Sequence, residues 1–153
     1  MVKLAVIEGI TNEHLAQVYS DPYITKVGHD LRPASPIHHP LVTYLSAWVD
    51  GIFVGAFMIV MQTSVDVEMH ALLHRKALPH SRQLGRECLS WIFSIAGILR
   101  ITAMVIEGLE SAMNYSLKIG FKYEGFKRDV CTQNGEIKGV HILGMTRRDW
   151  STK

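Results

Sequence analysis

An acid and a base stand two residues apart near the middle of the chain. Val65–Leu73 alternates, with Val65, Val67, Met69, Ala71 and Leu73 on one side and Asp66, Glu68, His70 and Leu72 on the other. Period two predicts a strand. Positions two apart on a strand share a face and lie roughly 6.6 Å from each other. Glu68 and His70 can therefore line one cavity, where either can accept a proton directly or through water. The plainer role for both is a polar side chain hydrogen-bonded within the core or at its margin.

A second chemical feature follows at once. His74–Arg82 is a loop rich in His, Lys and Arg, and Gln83–Ala96 places Leu84, Cys88, Trp91, Ile92 and Ile95 at helical spacing, with Gly97 as the stop. A helix N-terminus presents free N–H groups and partial positive charge. With His80, Ser81, Arg82, Gly85 and Arg86 gathered there, this end is suited to an anion such as a pyrophosphate. The plainer alternative is a basic loop leading into an amphipathic helix.

These features need a scaffold. The 153 residues fit one domain spanning 1–153, and 48% hydrophobic content suits a full core. A net charge of +2 argues against a general nucleic-acid binder, though cations cluster at 75–86 and 147–148. Two cysteines make no disulfide framework, so a reducing, cytoplasmic setting is expected. No apolar run reaches the ~18 residues of a membrane span. Along the chain we expect a strand over 3–7, a helix over 12–19 capped by Thr11, and a turn of helix after Asp21-Pro22. An ordered loop with three prolines fills 28–40. Strands 41–49 and 52–62 flank Asp50-Gly51, and strands 122–130 and 138–146 flank Asn134-Gly135, two hairpin signals. The order β-α-α-β-β-β-α-β-α-β-β describes an α/β (α+β) mixed sheet of about seven mostly antiparallel strands with helices on both faces.

The same block resembles the GNAT N-acetyltransferase superfamily. The family signature, R/Q-x-x-G-x-G/A opening a helix, lies on His80-Ser81-Arg82-Gln83-Leu84-Gly85. Gly85 fits its last position, and Gln83 and His80 replace the middle glycine and the leading residue. Ser111, Ala112 and the helix running into Lys118-Ile119-Gly120-Phe121, then Glu124-Gly125, match the second half. Ile142–Trp150 resembles the last strand of the branch with ribosomal-protein and small-molecule acetyltransferases. Small divergent proteins of this kind also occur in bacteriophages, which is compatible with a phage origin.

The resemblance implies acetyl-CoA as cofactor, a small-molecule or protein amine as acceptor, direct attack in a ternary complex and no metal. It places the pantetheine arm along the backbone of Ala71, Leu72 and Leu73, with Ala112 nearby, and the diphosphate on His80 to Arg86. Glu68 is then the first choice of base and His70 the second. The family tyrosine that protonates the leaving thiolate falls on Ser116, and the asparagine that opens its helix on Leu109. Tyr115 is about 100° round the helix and is expected to point elsewhere. Tyr23, Tyr44 and Trp48 are candidates for the acceptor pocket. The departures at Gln83, Leu109 and Ser116 keep a second function in view: a catalytically weak or inactive GNAT-like protein acting through protein contacts. The last strands could supply a homodimer interface.

Overall fold

Two Asx-Gly turns set the register of the sheet. Asp50 and Gly51 have φ of 51° and 80°, and Asn134 and Gly135 have 53° and 80°. These are the positive dihedrals that a two-residue hairpin loop requires. They join β2 (Val42–Val49) to β3 (Ile52–Met61) and β6 (Lys122–Gln133) to β7 (Glu136–Thr146). The computed structural model describes residues 6–26, 28–31 and 35–152. Residues 3–5 of the expected first strand and 32–34 of the proline-containing loop lie outside them. β1 is described over Val6–Gly9.

Seven strands form one mixed sheet in the order β1-β2-β3-β4-β5-β7-β6. All neighbours are antiparallel except β4 (Asp66–Leu73) and β5 (Arg100–Ile106). These two are connected through helix α3 (Ser81–Phe93). On one face α1 (Asn12–Tyr19) and α2 (Pro22–Thr25) bring Val18 and Ile24 against Phe53, Ala56 and Leu72. On the other, α3 and α4 (Glu110–Ile119) bring Leu84, Leu89, Ile92 and Ile119 against Val67, Met69, Ile101 and Leu143. The alternation of β4 thus feeds two cores, Met69 into one and Leu72 into the other. No helix among the described residues is long and apolar enough to cross a membrane.

Element order follows the sequence reading, with two corrections and one added helix. The basic stretch after β4 is a 3-10 helical turn, Arg75–His80, that runs straight into α3. α3 ends at Phe93 because Ser94 caps it, its N–H on the Ser90 and Trp91 carbonyls and its hydroxyl on Trp91. Ile95 therefore lies beyond the helix and is 43% exposed. The last strand stops at Thr146 as expected, and the end of the stretch that resembles the family's last strand is helical. The Thr146 hydroxyl accepts the Asp149 N–H while Asp149 accepts the Thr146 N–H, a capping box that opens α5 (Arg147–Ser151). At the far edge β6 is largely solvent-exposed on both faces and carries two irregularities, at Tyr123/Gly125 and Lys127/Cys131, with Asp129 at φ 51°.

Gly55 pairs with Leu73 at the end of β4 with φ of 138°. A Cβ there would lie 2.5 Å from the Leu72 carbonyl oxygen and 2.7 Å from Leu73 Cα. We expect Gly55→Ala to lower the unfolding free energy by about 3 kcal/mol in urea titration. The next residue of interest is His74, whose Nε2 is buried without a hydrogen-bond partner, 3.7 Å from Asp21 Oδ2. Burial holds the imidazole below its usual pKa, only partly offset by Asp21. The unfolded chain then binds the proton more readily, so stability is full above the unfolded value of about 6.5 and falls as pH drops below it. Urea midpoints compared at pH 7.5 and 5.5 should show this loss, and His74→Phe should shrink it.

Candidate active site

The sheet opens where its parallel pair parts. β4 and β5 are in register only at Asp66↔Arg100, Val67↔Ile101 and Glu68↔Thr102, although the strands run on to Leu73 and Ile106. A polar clasp holds the closed end. Thr102 Oγ1 donates to Asp66 Oδ1 (2.9 Å) and Arg100 Nε donates to Thr102 Oγ1 (3.0 Å). Arg100 Nη1 donates to Glu124 Oε2 (2.9 Å), and this guanidinium holds the Glu124 carboxyl below the usual range. The ion pair lies on Gly144, where a Cβ would come within 2.5 Å of Glu124 Oε2 and 2.6 Å of the guanidinium nitrogens.

Beyond the clasp the strands border a cavity of about 420 Å³. Glu68 to Leu72 form one wall and Ala103 to Ile106 the other. Ala112, Tyr115, Ser116 and Ile119 close it from α4, and Tyr19, Gly28, His29, Ile37 and Met58 border it as well. Past Glu68 every second backbone N–H and C=O of β4 is directed at this gap instead of at a neighbouring strand.

Glu68 and His70 meet inside it. Glu68 is 8% exposed; its Oε1 lies 2.7 Å from His70 Nε2 and its Oε2 accepts Gln62 Nε2 at 3.0 Å. Both carboxylate oxygens are thus engaged, whereas the His70 side chain is 32% exposed. The geometry is that of an imidazole oriented by a buried carboxylate, with the ring's other nitrogen left for a proton.

Ser116 lies on the cavity wall, buried, with its hydroxyl donating to the Ala112 carbonyl at 3.0 Å. The Tyr115 ring borders the cavity too, but its hydroxyl points elsewhere, into the seam with α3. Residues 112, 115, 116 and 119 follow the i, i+3, i+4, i+7 spacing of a single helical stripe, and a stripe that wide includes neighbours. The Tyr115 hydroxyl donates to the Ser81 carbonyl at 3.0 Å, and burial pushes its pKa up.

The start of α3 has a different setting from the β4 edge. None of residues 80–86 borders the cavity. The Ser81 N–H is taken by the Leu78 carbonyl, because the 3-10 turn continues into the helix. Leu84 is fully buried and Gly85 is buried, both facing the core and α4. Arg86 Nη2 donates to the Lys118 carbonyl at 3.2 Å. His80 makes no side-chain capping bond, and Gln83 is half-buried. Exposed cations at this end are Arg75, Lys76, Arg82 and Arg86, the last bonded to the Lys118 carbonyl. A diphosphate here would meet the exposed guanidinium and ammonium groups of this end, the Ser81 N–H being already paired.

Of the aromatic candidates for an acceptor pocket, Tyr44 stands behind the wall, its hydroxyl 2.8 Å from that of Tyr19, while Trp48 Nε1 donates to Ser46 Oγ. Tyr19, His29, Met58 and Tyr115 reach the cavity and were not singled out by sequence. The i, i+3, i+4, i+7 stripe on α4 is the one local signal that could have found any of them.

No protein-family model matches the chain, and no curated sequence does. The likeness is in three dimensions. Spermidine N-acetyltransferase from Vibrio cholerae, solved in complex with CoA and spermine, superposes with a TM-score of 0.82 at 12% identity over 96% of this chain and 98% of that one. A structure described as a probable acetyltransferase gives 0.76 at 16% identity, over 97% and 96%. The fold is that of the GNAT acyl-CoA N-acyltransferases. In this GNAT-like fold the seam between α3 and α4 carries the cavity floor. A Cβ on Gly85 would lie 2.3 Å from Tyr115 Oη. We expect Gly85→Ala to cost about 2 kcal/mol by displacing that ring, and Tyr115→Phe about 1 kcal/mol. In the double variant the two losses should add to less than their sum, read from chemical unfolding.

Proposed function

We propose that this chain is an acetyl-CoA-dependent N-acetyltransferase that acts on a primary amine by direct attack in a ternary complex. The observation that carries the reading is the gap between β4 and β5, which opens immediately beyond the Glu68–Thr102 pair and runs from the α4 stripe to the Glu68–His70 dyad. Acetyl-CoA, when bound, supplies an acetyl group already activated as a thioester. The chain's part is to hold it, to position the amine and to move protons.

The unpaired edge at Ala71, Leu72 and Leu73 is suited to a pantetheine arm, and its N–H groups to a developing oxyanion. Arg75, Lys76 and Arg82 are the cations for the diphosphate. A free alkyl amine is protonated at neutral pH, with pKa near ~10.4, so a proton must leave before attack. His70 takes it, directly or through water, and Glu68 orients the ring and stabilises the imidazolium. This reverses the preference reached from sequence, because both Glu68 oxygens are already engaged. Ser116 is the hydroxyl placed for the leaving sulfur once it turns from the Ala112 carbonyl. A strong acid is not required, since an ordinary thiol has pKa near ~8.5 and leaves readily as the anion.

The acceptor side is largely apolar. Among the described residues bordering the cavity Glu68 is the one carboxylate, and it is already paired. We therefore take the acceptor to be an amine carried on an apolar body rather than a polyamine. The pairing of the Ser81 N–H with Leu78 and of Arg86 with Lys118 favours the second reading, a GNAT-like protein that binds CoA weakly or not at all and works through contacts with other proteins. A thermal shift separates the two. Saturating acetyl-CoA should raise Tm, because a native-state ligand at 100 times its Kd stabilises by about 2.7 kcal/mol. His70→Ala should keep that shift while kcat/KM in a thiol-release assay falls about 100-fold. No shift at millimolar acetyl-CoA would overturn the transferase reading in favour of the contact protein.

A further inference from the structure

The segment after α2 leaves the helices and reaches the tip of the β6–β7 hairpin. The Asp30 N–H donates to the Thr132 carbonyl at 2.9 Å, and Gln133 Nε2 donates to the Gly28 carbonyl at 3.4 Å. The Asp30 carboxylate accepts the N–H of Asn134 on Oδ1 (2.7 Å) and the N–H of Gly135 on Oδ2 (3.0 Å). A turn with positive φ at both central residues directs successive N–H groups to one side, which makes a small anion seat. Here the chain fills that seat itself. These bonds, with the Thr132 hydroxyl, hold the Asp30 carboxyl below its ordinary pKa.

A second anchor lies on the return path. The Ile37 N–H donates to the Tyr44 hydroxyl at 3.0 Å, and that hydroxyl is 2.8 Å from the hydroxyl of Tyr19. Gly28, His29, Ile37 and Tyr19 all border the cavity. Asp30 therefore anchors the wall residues beside it, Gly28 and His29, while the second anchor is at Ile37 itself.

We propose that Asp30 is a positioning residue, which fixes this segment on the β6–β7 turn as the wall against which the acceptor amine is held. The proposal deepens the transferase reading and rests on it for the identity of the occupant. The wall itself is a matter of geometry. Asp30 touches no reacting atom and acts through its neighbours Gly28 and His29. Charge-assisted bonds to backbone N–H groups are roughly twice as strong as neutral ones, so losing the charge should loosen the segment even where shape is kept.

The test uses the full chain with Asp30→Asn, which keeps the shape, and Asp30→Ala, which removes both acceptors. Amide exchange at Asn134 and Gly135 should quicken at least about 10-fold in Asp30→Ala and less in Asp30→Asn. Diethyl pyrocarbonate, followed by mass spectrometry, should modify His70 about 5-fold faster than in the parent chain. His141, which contacts Tyr123 away from the cavity, should be unchanged. With benzylamine as acceptor, KM for the amine should rise about 10-fold while KM for acetyl-CoA holds. Unchanged amide exchange overturns the anchor. Faster exchange with unchanged His70 labelling, or with an unchanged amine KM, overturns the wall. Should the parent chain transfer no acetyl group, the transferase reading fails, while exchange and labelling still decide the role of Asp30.

Discussion

The structure depends on how briefly its two parallel strands stay together. β4 and β5 share three registered pairs, and the side chains at that end keep them closed. Asp66, Thr102, Arg100 and Glu124 form one chain of hydrogen bonds across β4, β5 and β6, seated on a glycine of β7. The network ties β4, β5 and β6 at one end, so the parting of β4 from β5 at the other leaves the rest of the sheet in register. A sheet that opens must find something else for its backbone polar groups. α4 covers the gap from one side, and the β4 edge still turns N–H and C=O groups into it.

The floor of the gap rests on a close approach of two helices. Gly85 has no side chain, so the Tyr115 ring can lie against α3 and bond the Ser81 carbonyl. Arg86 reaches the opposite end of α4 at the Lys118 carbonyl. Gly85 and Arg86, two of the residues expected at an anion site, also serve the packing of α3 on α4.

What could be read from the sequence was what local physics governs. Asp50-Gly51 and Asn134-Gly135 fixed two hairpins because few other residues tolerate those dihedrals. The period of two in β4 put Glu68 and His70 on one face, where they are in contact. Helix ends were harder: Ser94 stops α3 three residues before the expected limit, and the short helix α5, opened by a capping box after the last strand, was not foreseen. The rest of the cavity was illegible for a different reason. Tyr19, His29 and Met58 come from three separate elements, and only tertiary packing brings them near β4. Tyr115 reaches the cavity with its ring while its hydroxyl turns to the Ser81 carbonyl, a division that one helical angle does not give.

The outermost strand has a bearing on solubility. β6 runs for twelve residues at the rim of the sheet, with Tyr123, Phe126 and Val130 each more than 40% exposed. A long flat rim of that kind invites another chain to add itself as an eighth strand. The two kinks, the left-handed Asp129, and the charges of Lys122, Lys127 and Arg128 break the straight run of hydrogen-bonding groups such an addition would copy. The irregular stretch that looks like poor strand formation thus guards the chain against fibrous self-association.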